Sequence, residues 1–305
     1  MKKYIIIGGC SYAYKDPGKY LLPLRISENG HELDYDDVEF LMLGASSASN
    51  EFITEAIIIA VSSLLENGVL PKDILVINNF TQIGRTSVKL PIEYYEIAND
   101  ILKFDNSDIR EYTYSPIQFT QSLVKVKNQI YSFLISDRNL KGSIKDWYDY
   151  QSSIIYTKKT IQEHFESYLS SIVTLQSFVK KNNIKTISFL MNNVFDGWDS
   201  DYNHIYNNHK EFNLPSTKGT KHISEISDYT KALWDCIDLD MFVFHTTNEN
   251  KYGGIDEYLL DKFPDKKYFL DPSIKNFYFG NHPTGKIYYE FAKEYMINQI
   301  NDWFK

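Results

Sequence analysis

Short apolar runs punctuate the chain, each bounded by glycine, asparagine or a polar turn. Tyr4–Ile7 is a β-branched run that ends at Gly8-Gly9, and Val38–Leu43 ends at Gly44. Ile74–Ile77 follows Pro71-Lys72-Asp73, and Ile184–Met191 and Met241–Phe244 complete the series. Runs of this length and composition predict strands buried on both faces. Between them the period changes to that of a helix. Glu51–Leu65 is rich in Ile and Ala, follows Ser49-Asn50, which suits an N-cap, and meets a stop at Asn67-Gly68. Ile161, Phe165, Leu169, Ile172, Leu175 and Val179 recur at spacings of three and four and predict a long amphipathic helix before the fourth run. Ile287, Phe291 and Tyr295, beside Ala292, Met296 and Ile300, repeat the pattern near the C-terminus. Strands alternating with helices predict an α/β fold, a three-layer α/β/α sandwich around a mostly parallel five-stranded sheet.

Two stretches break this rhythm. Residues 86–153 carry Tyr94-Tyr95, Tyr112-Thr113-Tyr114 and Trp147-Tyr148-Asp149-Tyr150 and are too long for a plain connection. They are expected to form an aromatic-rich, helical, cap-like insertion within a single domain spanning residues 1–305. The second stretch, 192–222, holds Trp198, Tyr202, His204, Tyr206 and His209.

Composition narrows the partners. The formal net charge is −8 and no Lys/Arg-rich block occurs, so the field that would attract a phosphate backbone is missing and nucleic acid is not an expected partner. Cys10 and Cys236 are too few for a disulfide framework and lack a zinc-binding spacing, which fits a reducing compartment. No apolar run approaches the ~18 residues of a membrane span, and the first apolar stretch is too short for a signal sequence. A cytoplasmic protein without a membrane partner is the expectation.

Ligands of open α/β sheets sit beyond the carboxyl ends of the strands, so the residues after each run carry the candidate chemistry. After the first comes Gly8-Gly9-Cys10-Ser11-Tyr12-Ala13. A serine in such a turn can present its Oγ while nearby backbone N–H groups face a developing oxyanion. The turn is not a Gly-x-Ser-x-Gly elbow, because Ala13 stands where the second glycine is required, and it is not a dinucleotide fingerprint. At the other end, Gly280-Asn281-His282-Pro283-Thr284-Gly285 precedes the last helical pattern. A histidine held by a following proline at a loop-to-helix junction suits proton transfer.

In order and spacing these segments resemble the SGNH (GDSL-type) hydrolases, closest in style to SGNH-like proteins of tailed phages. Gly9-Cys10-Ser11 is similar to the first block, usually Gly-Asp-Ser, and His282-Pro283 to the last, Asp-x-x-His followed by Pro. Leu43-Gly44-Ala45-Ser46-Ser47-Ala48-Ser49-Asn50 resembles the second block, Asn-x-Gly-x-x-Gly, and Asn79-Phe80-Thr81-Gln82 falls at the third, Gly-x-Asn-Asp. The resemblance implies a flavodoxin-like sandwich and an esterase or O-deacetylase in which His282 deprotonates Ser11. It implies oxyanion or binding positions at Gly44, Ser47, Asn79 and Thr81, and substrate contacts at Asn50, Arg85 and His245. The substrate would be a small acyl ester or an acylated glycan. Such chemistry uses no metal and no organic cofactor.

The chain departs from the family at four positions. Met42 replaces the second-block Asn, Ser47 its second Gly, Thr81 the third-block Asn, and Phe279 the acid three residues before His282. These departures carry the alternative, a binding protein or phage virion component of the same fold that has lost turnover and works through a homo-oligomer or a virion partner.

Overall fold

The computed structural model describes residues 2–10, 38–45, 48–81, 83, 85–104, 108–110, 117–119, 123–126, 128–133, 140–158, 161–195, 227–248, 250–263 and 285–305. In chain order the elements are β1 (Lys3–Gly8), β2 (Val38–Met42), α1 (Asn50–Glu66), β3 (Ile74–Phe80), β4 (Ser87–Lys89), α2 (Tyr95–Phe104), β5 (Asp108–Arg110), β6 (Ile117–Phe119), β7 (Leu123–Val126), β8 (Gln129–Phe133), α3 (Gly142–Lys158), α4 (Ile161–Lys181), β9 (Lys185–Leu190), α5 (Asp228–Asp235), α6 (Ile255–Lys262), α7 (Gly285–Tyr295) and α8 (Ile297–Phe304).

The main sheet is parallel throughout, in the order β2-β1-β3-β9. Its inner strands are buried on both faces, which is why they read as unbroken apolar runs. Ile5 and Ile6 have no exposed surface, and each such side chain is worth about 1.5–3 kcal/mol on transfer from water. Alternation along β3 assigns the faces. Phe80 meets Tyr168 of α4 with ring centroids 6.1 Å apart, so the even-numbered residues of β3 face α1 and α4. Phe189 of β9, which pairs in register with Asn79, points the other way and meets Phe291 of α7 at 5.6 Å. Helices therefore cover both faces of an α/β fold.

The expected ends of α1 are present. Ser49 Oγ accepts the N–H of Phe52 at 3.2 Å, and the helix stops at Asn67, with Gly68 at φ +83°. On α4, Phe165, Leu169, Ile172, Leu175 and Val179 are all buried, the stripe that the spacing predicts. The C-terminal pattern divides at Met296 into α7 and α8. Lys3 Nζ donates to the carbonyls of Trp303 and Phe304, 3.0 Å each, and Trp303 Nε1 donates to Lys72 O at 2.9 Å. These bonds fasten the end of α8 to the amino ends of β1 and β3.

Two expectations are corrected. Among the described residues the sheet has four strands, not five: the Met241–Phe244 run makes one parallel bridge, Ser188 to Phe242, with Val243 N–H on Ser188 O at 2.8 Å. Asp238 caps a single turn at Leu239–Met241, and His245 pairs antiparallel with Gly253, so the segment is drawn away before a ladder can form. Phe242 and Phe244 instead stack 5.3 Å apart within an aromatic cluster around Phe195. The second correction concerns the 86–153 stretch, expected to be helical. It holds a five-stranded antiparallel sheet, β4-β8-β7-β6-β5, beside α2 and α3. Val126 pairs with Gln129, so β7 and β8 form a two-residue hairpin, and both faces of the sheet are covered: Leu123 and Ile130 pack with α2 and α3, while Val126 and Tyr131 pack against the main core. This sheet is tied to α1 by Phe52 against Tyr131 at 5.3 Å and by Lys89 to Glu55 at 2.5 Å.

Candidate functional site

The strand order reverses between β1 and β3, and folds of this kind take ligands beyond the carboxyl ends of the strands at such a point. Three strand ends converge there. Cys10, which follows β1, is fully buried, with its Sγ 4.0 Å from Met191 Sδ just past β9, and Met191 N–H bonds Phe80 O of β3 at 2.9 Å. Gly8 is required by close packing. A Cβ there would lie 2.4 Å from Ile57 Cδ1 and 2.9 Å from Asn78 Oδ1.

Beyond β2 the chain stays against β1, with Leu43 N–H on Ile7 O at 2.8 Å and Ala45 N–H on Gly9 O at 3.2 Å. Gly44 is buried between them. The loop then enters α1, whose first residue, Asn50, reaches across to β3. Asn50 Oδ1 accepts the Thr81 N–H at 2.8 Å, and Asn50 Nδ2 donates to Thr81 O at 3.4 Å. Next to it, Ser49 Oγ lies 2.7 Å from Ser87 Oγ at the start of β4.

The unusual feature of this end of the sheet is its unbonded amides. Asn79 is 1 % exposed, yet among the described residues neither its Oδ1 nor its Nδ2 has a hydrogen-bond partner. The same holds for both amide atoms of Asn78 and Asn192, and for Thr81 Oγ1. A buried polar group left unbonded costs about 1–3 kcal/mol, so it calls for an occupant or a role. Asn78 and Asn79 are successive and face opposite sides of the sheet. Asn78 is on the α1 side, packed near Gly8, and Asn79 is on the α7 side.

Of the residues expected at the site, Gly44, Asn50, Asn79 and Thr81 gather around the ends of β1 and β3. Asn50 is bonded to backbone there, not left open toward a substrate. Arg85 is half-buried between β3 and β4. His245 belongs to another cluster: its Nδ1 is 2.9 Å from Tyr295 Oη, its Nε2 is 3.2 Å from Asp261 Oδ2, and its ring meets Tyr258 edge-on at 5.3 Å. Burial lowers its pKa, against the opposing pull of Asp261. Ser11, Ser47, Phe279 and His282 lie outside the described residues. The buried, unbonded amides of Asn78 and Asn192 were not expected from the sequence. Their signal in the sequence is a pair of asparagines, Asn78-Asn79 and again Asn192-Asn193, directly at the close of an apolar run.

Among the described residues no group of three or more His, Cys, Asp or Glu could hold a metal ion, and no helix is long and apolar enough to cross a membrane. No protein-family model, curated protein or solved structure matches the chain.

Proposed function

We propose that the protein is a serine ester hydrolase of the SGNH type, with its parallel sheet as the centre of a three-layer sandwich, acting on an acyl ester carried by a carbohydrate. His282 takes the proton of Ser11 as Oγ attacks the ester carbonyl and returns it to the departing alcohol. The ester C–O bond breaks and an acyl-Ser11 remains. Water, deprotonated by the same histidine, then releases the acid and regenerates Ser11.

The observation that carries this reading is Asn79. Its amide is buried and, among the described residues, unbonded, on the strand next to the one that leads into Gly9-Cys10-Ser11. An N–H donor kept dry and unpaired is suited to charge that appears only in the transition state. Gly44 and Ser47 complete the oxyanion site, with Thr81 at the adjoining strand end. The aromatic-rich insertion favours a sugar-borne ester.

The test is 4-nitrophenyl acetate hydrolysis and fluorophosphonate labelling of the purified protein against Ser11→Ala. Both are expected in the wild type and absent from the variant. Labelling that persists in Ser11→Ala, or that maps to Cys10, removes Ser11 as nucleophile. A second reading, a binding or virion protein without turnover, is favoured by Met42, which is 5 % exposed in the core at the position where the family has a polar asparagine. An inert protein that still binds a glycan or a structural partner would be of that kind.

A further inference from the structure

We infer that Asn50 is a positioning residue for this site, acting on the oxyanion strand through the backbone of Thr81; the inference rests on the hydrolase reading above. Asn50 is 3 % exposed, and both ends of its carboxamide are engaged by a single residue, Thr81 N–H at 2.8 Å and Thr81 O at 3.4 Å. The ladder of β3 with β1 ends at Asn78 and that with β9 at Phe80. Past that point the chain is held by Asn50, whose carboxamide supplies the donor and acceptor that a neighbouring strand would otherwise provide. Asn50 is itself held firmly. It is the first residue of α1, preceded by an N-cap serine that is bonded both to Phe52 N–H and to Ser87 Oγ. Ser49 and Asn50, consecutive in the chain, thus fasten Ser87 and Thr81, the two ends of the segment that leaves β3 for the inserted sheet. Thr81 is itself one of the oxyanion positions of the reading above, and it lies just beyond the ladder that still holds Asn79 through its pairing with Phe189. A site held by such supports keeps its donors within the small tolerance that catalysis requires.

The test compares wild type, Asn50→Ala, Asn50→Asp and Thr54→Ala by 4-nitrophenyl acetate kinetics, fluorophosphonate labelling and amide hydrogen exchange at Thr81. Asn50→Ala is expected to lower kcat about 10- to 100-fold, as a misplacement of about 1 Å does, with little change in KM, and to speed exchange at Thr81. Asn50→Asp keeps the acceptor for Thr81 N–H, suits the first turn of a helix and should recover part of kcat. Thr54→Ala removes the Thr54 Oγ1 bond to Ser171 O (3.2 Å) elsewhere on α1, so it should lower thermal stability without lowering kcat. An active wild type with unchanged kcat in Asn50→Ala, despite faster exchange at Thr81, overturns the positioning role and leaves the hydrolase reading standing. A wild type with neither turnover nor labelling overturns both. Should Asn50→Ala fail to fold, Asn50→Asp decides: a severalfold drop in kcat supports the role and an unchanged kcat overturns it.

Discussion

The imidazole Nδ1 of His245 lies 2.9 Å from the phenol oxygen of Tyr295. Asp261 approaches the other ring nitrogen at 3.2 Å, without the alignment of a hydrogen bond. Burial is the main influence on His245 and lowers its pKa; Lys262 acts in the same direction, while Asp261 and Glu294 oppose it. The Tyr295 phenol is pushed up to about 12, chiefly by burial and then by Glu294, so it stays protonated beside a neutral ring, whose tautomer sets which of the two donates. The folded protein therefore binds a proton at His245 less readily than the unfolded chain does. The unfolded value is near ~6.5, so the contribution to stability is full above that pH and is lost as pH falls below it toward the folded value. Melting temperatures measured between about pH 8 and 5 should fall on the acid side in wild type and fall less in His245→Gln. Equal slopes in the two proteins would remove His245 as the source. Tyr295→Phe, which removes the hydrogen-bond partner of Nδ1, should cost about 1 kcal/mol at neutral pH.

Gly8 offers a steric test of the packing beneath the site. Gly8→Ala puts a Cβ 2.4 Å from Ile57 Cδ1, and overpacking of this kind costs about 1–3 kcal/mol. Ile57→Val removes that methyl and should cost about 0.5–1.5 kcal/mol alone. The double variant should lose less than the sum of the two, read from urea midpoints with unchanged m-values. Simple additivity would mean that the strain is relieved elsewhere.

These contacts mark where the sequence was readable. Tyr4–Ile7 and Ile74–Ile77 are legible because a strand buried on both faces needs apolar residues throughout. The Ser49 cap and the Asn67-Gly68 stop are legible because both act within a few residues of the helix they bound. The inserted sheet escaped because Asp108–Arg110 and Ile117–Phe119 are three-residue strands with no period to detect. Met241–Phe244 has the composition of a strand, but the competing pair His245–Gly253 is a tertiary choice. The bond from Asn50 to Thr81 spans 31 positions, and no local pattern announces it. Ser11 and His282 rest on family resemblance and lie outside the described residues, and the unbonded amides of Asn78 and Asn192 were visible only once burial and partners were known.

In the hydrolase reading proposed above, Phe279 takes the place of the acid that orients the histidine of SGNH hydrolases. In a serine protease, loss of that acid lowers kcat by roughly 10⁴. Phe279→Asp should therefore raise the 4-nitrophenyl acetate kcat by about tenfold or more if the loop before α7 has the family's geometry. A fast wild type that Phe279→Asp leaves unchanged would point to another carboxylate, with Asp271 and Glu290 the nearest in sequence.

Asn79 sets stability against turnover within one side chain. If its amide is kept unbonded for a transition-state oxyanion, the folded enzyme bears a cost that an apolar group of the same shape would not. Asn79→Leu should then raise stability by about 1 kcal/mol, since it removes two buried polar atoms that have no partners. The same change should lower kcat by about 10²–10³, the usual loss when one oxyanion donor is removed. Asn78→Leu is the matched control: its amide is equally buried and unbonded but faces α1, so stability should rise while kcat holds. Thermal melts and acetate-ester kinetics on the three proteins separate the possibilities. A destabilised Asn79→Leu with unchanged kcat would assign the amide to a buried water and a structural role, and the oxyanion assignment would pass to Thr81 and the backbone donors alone.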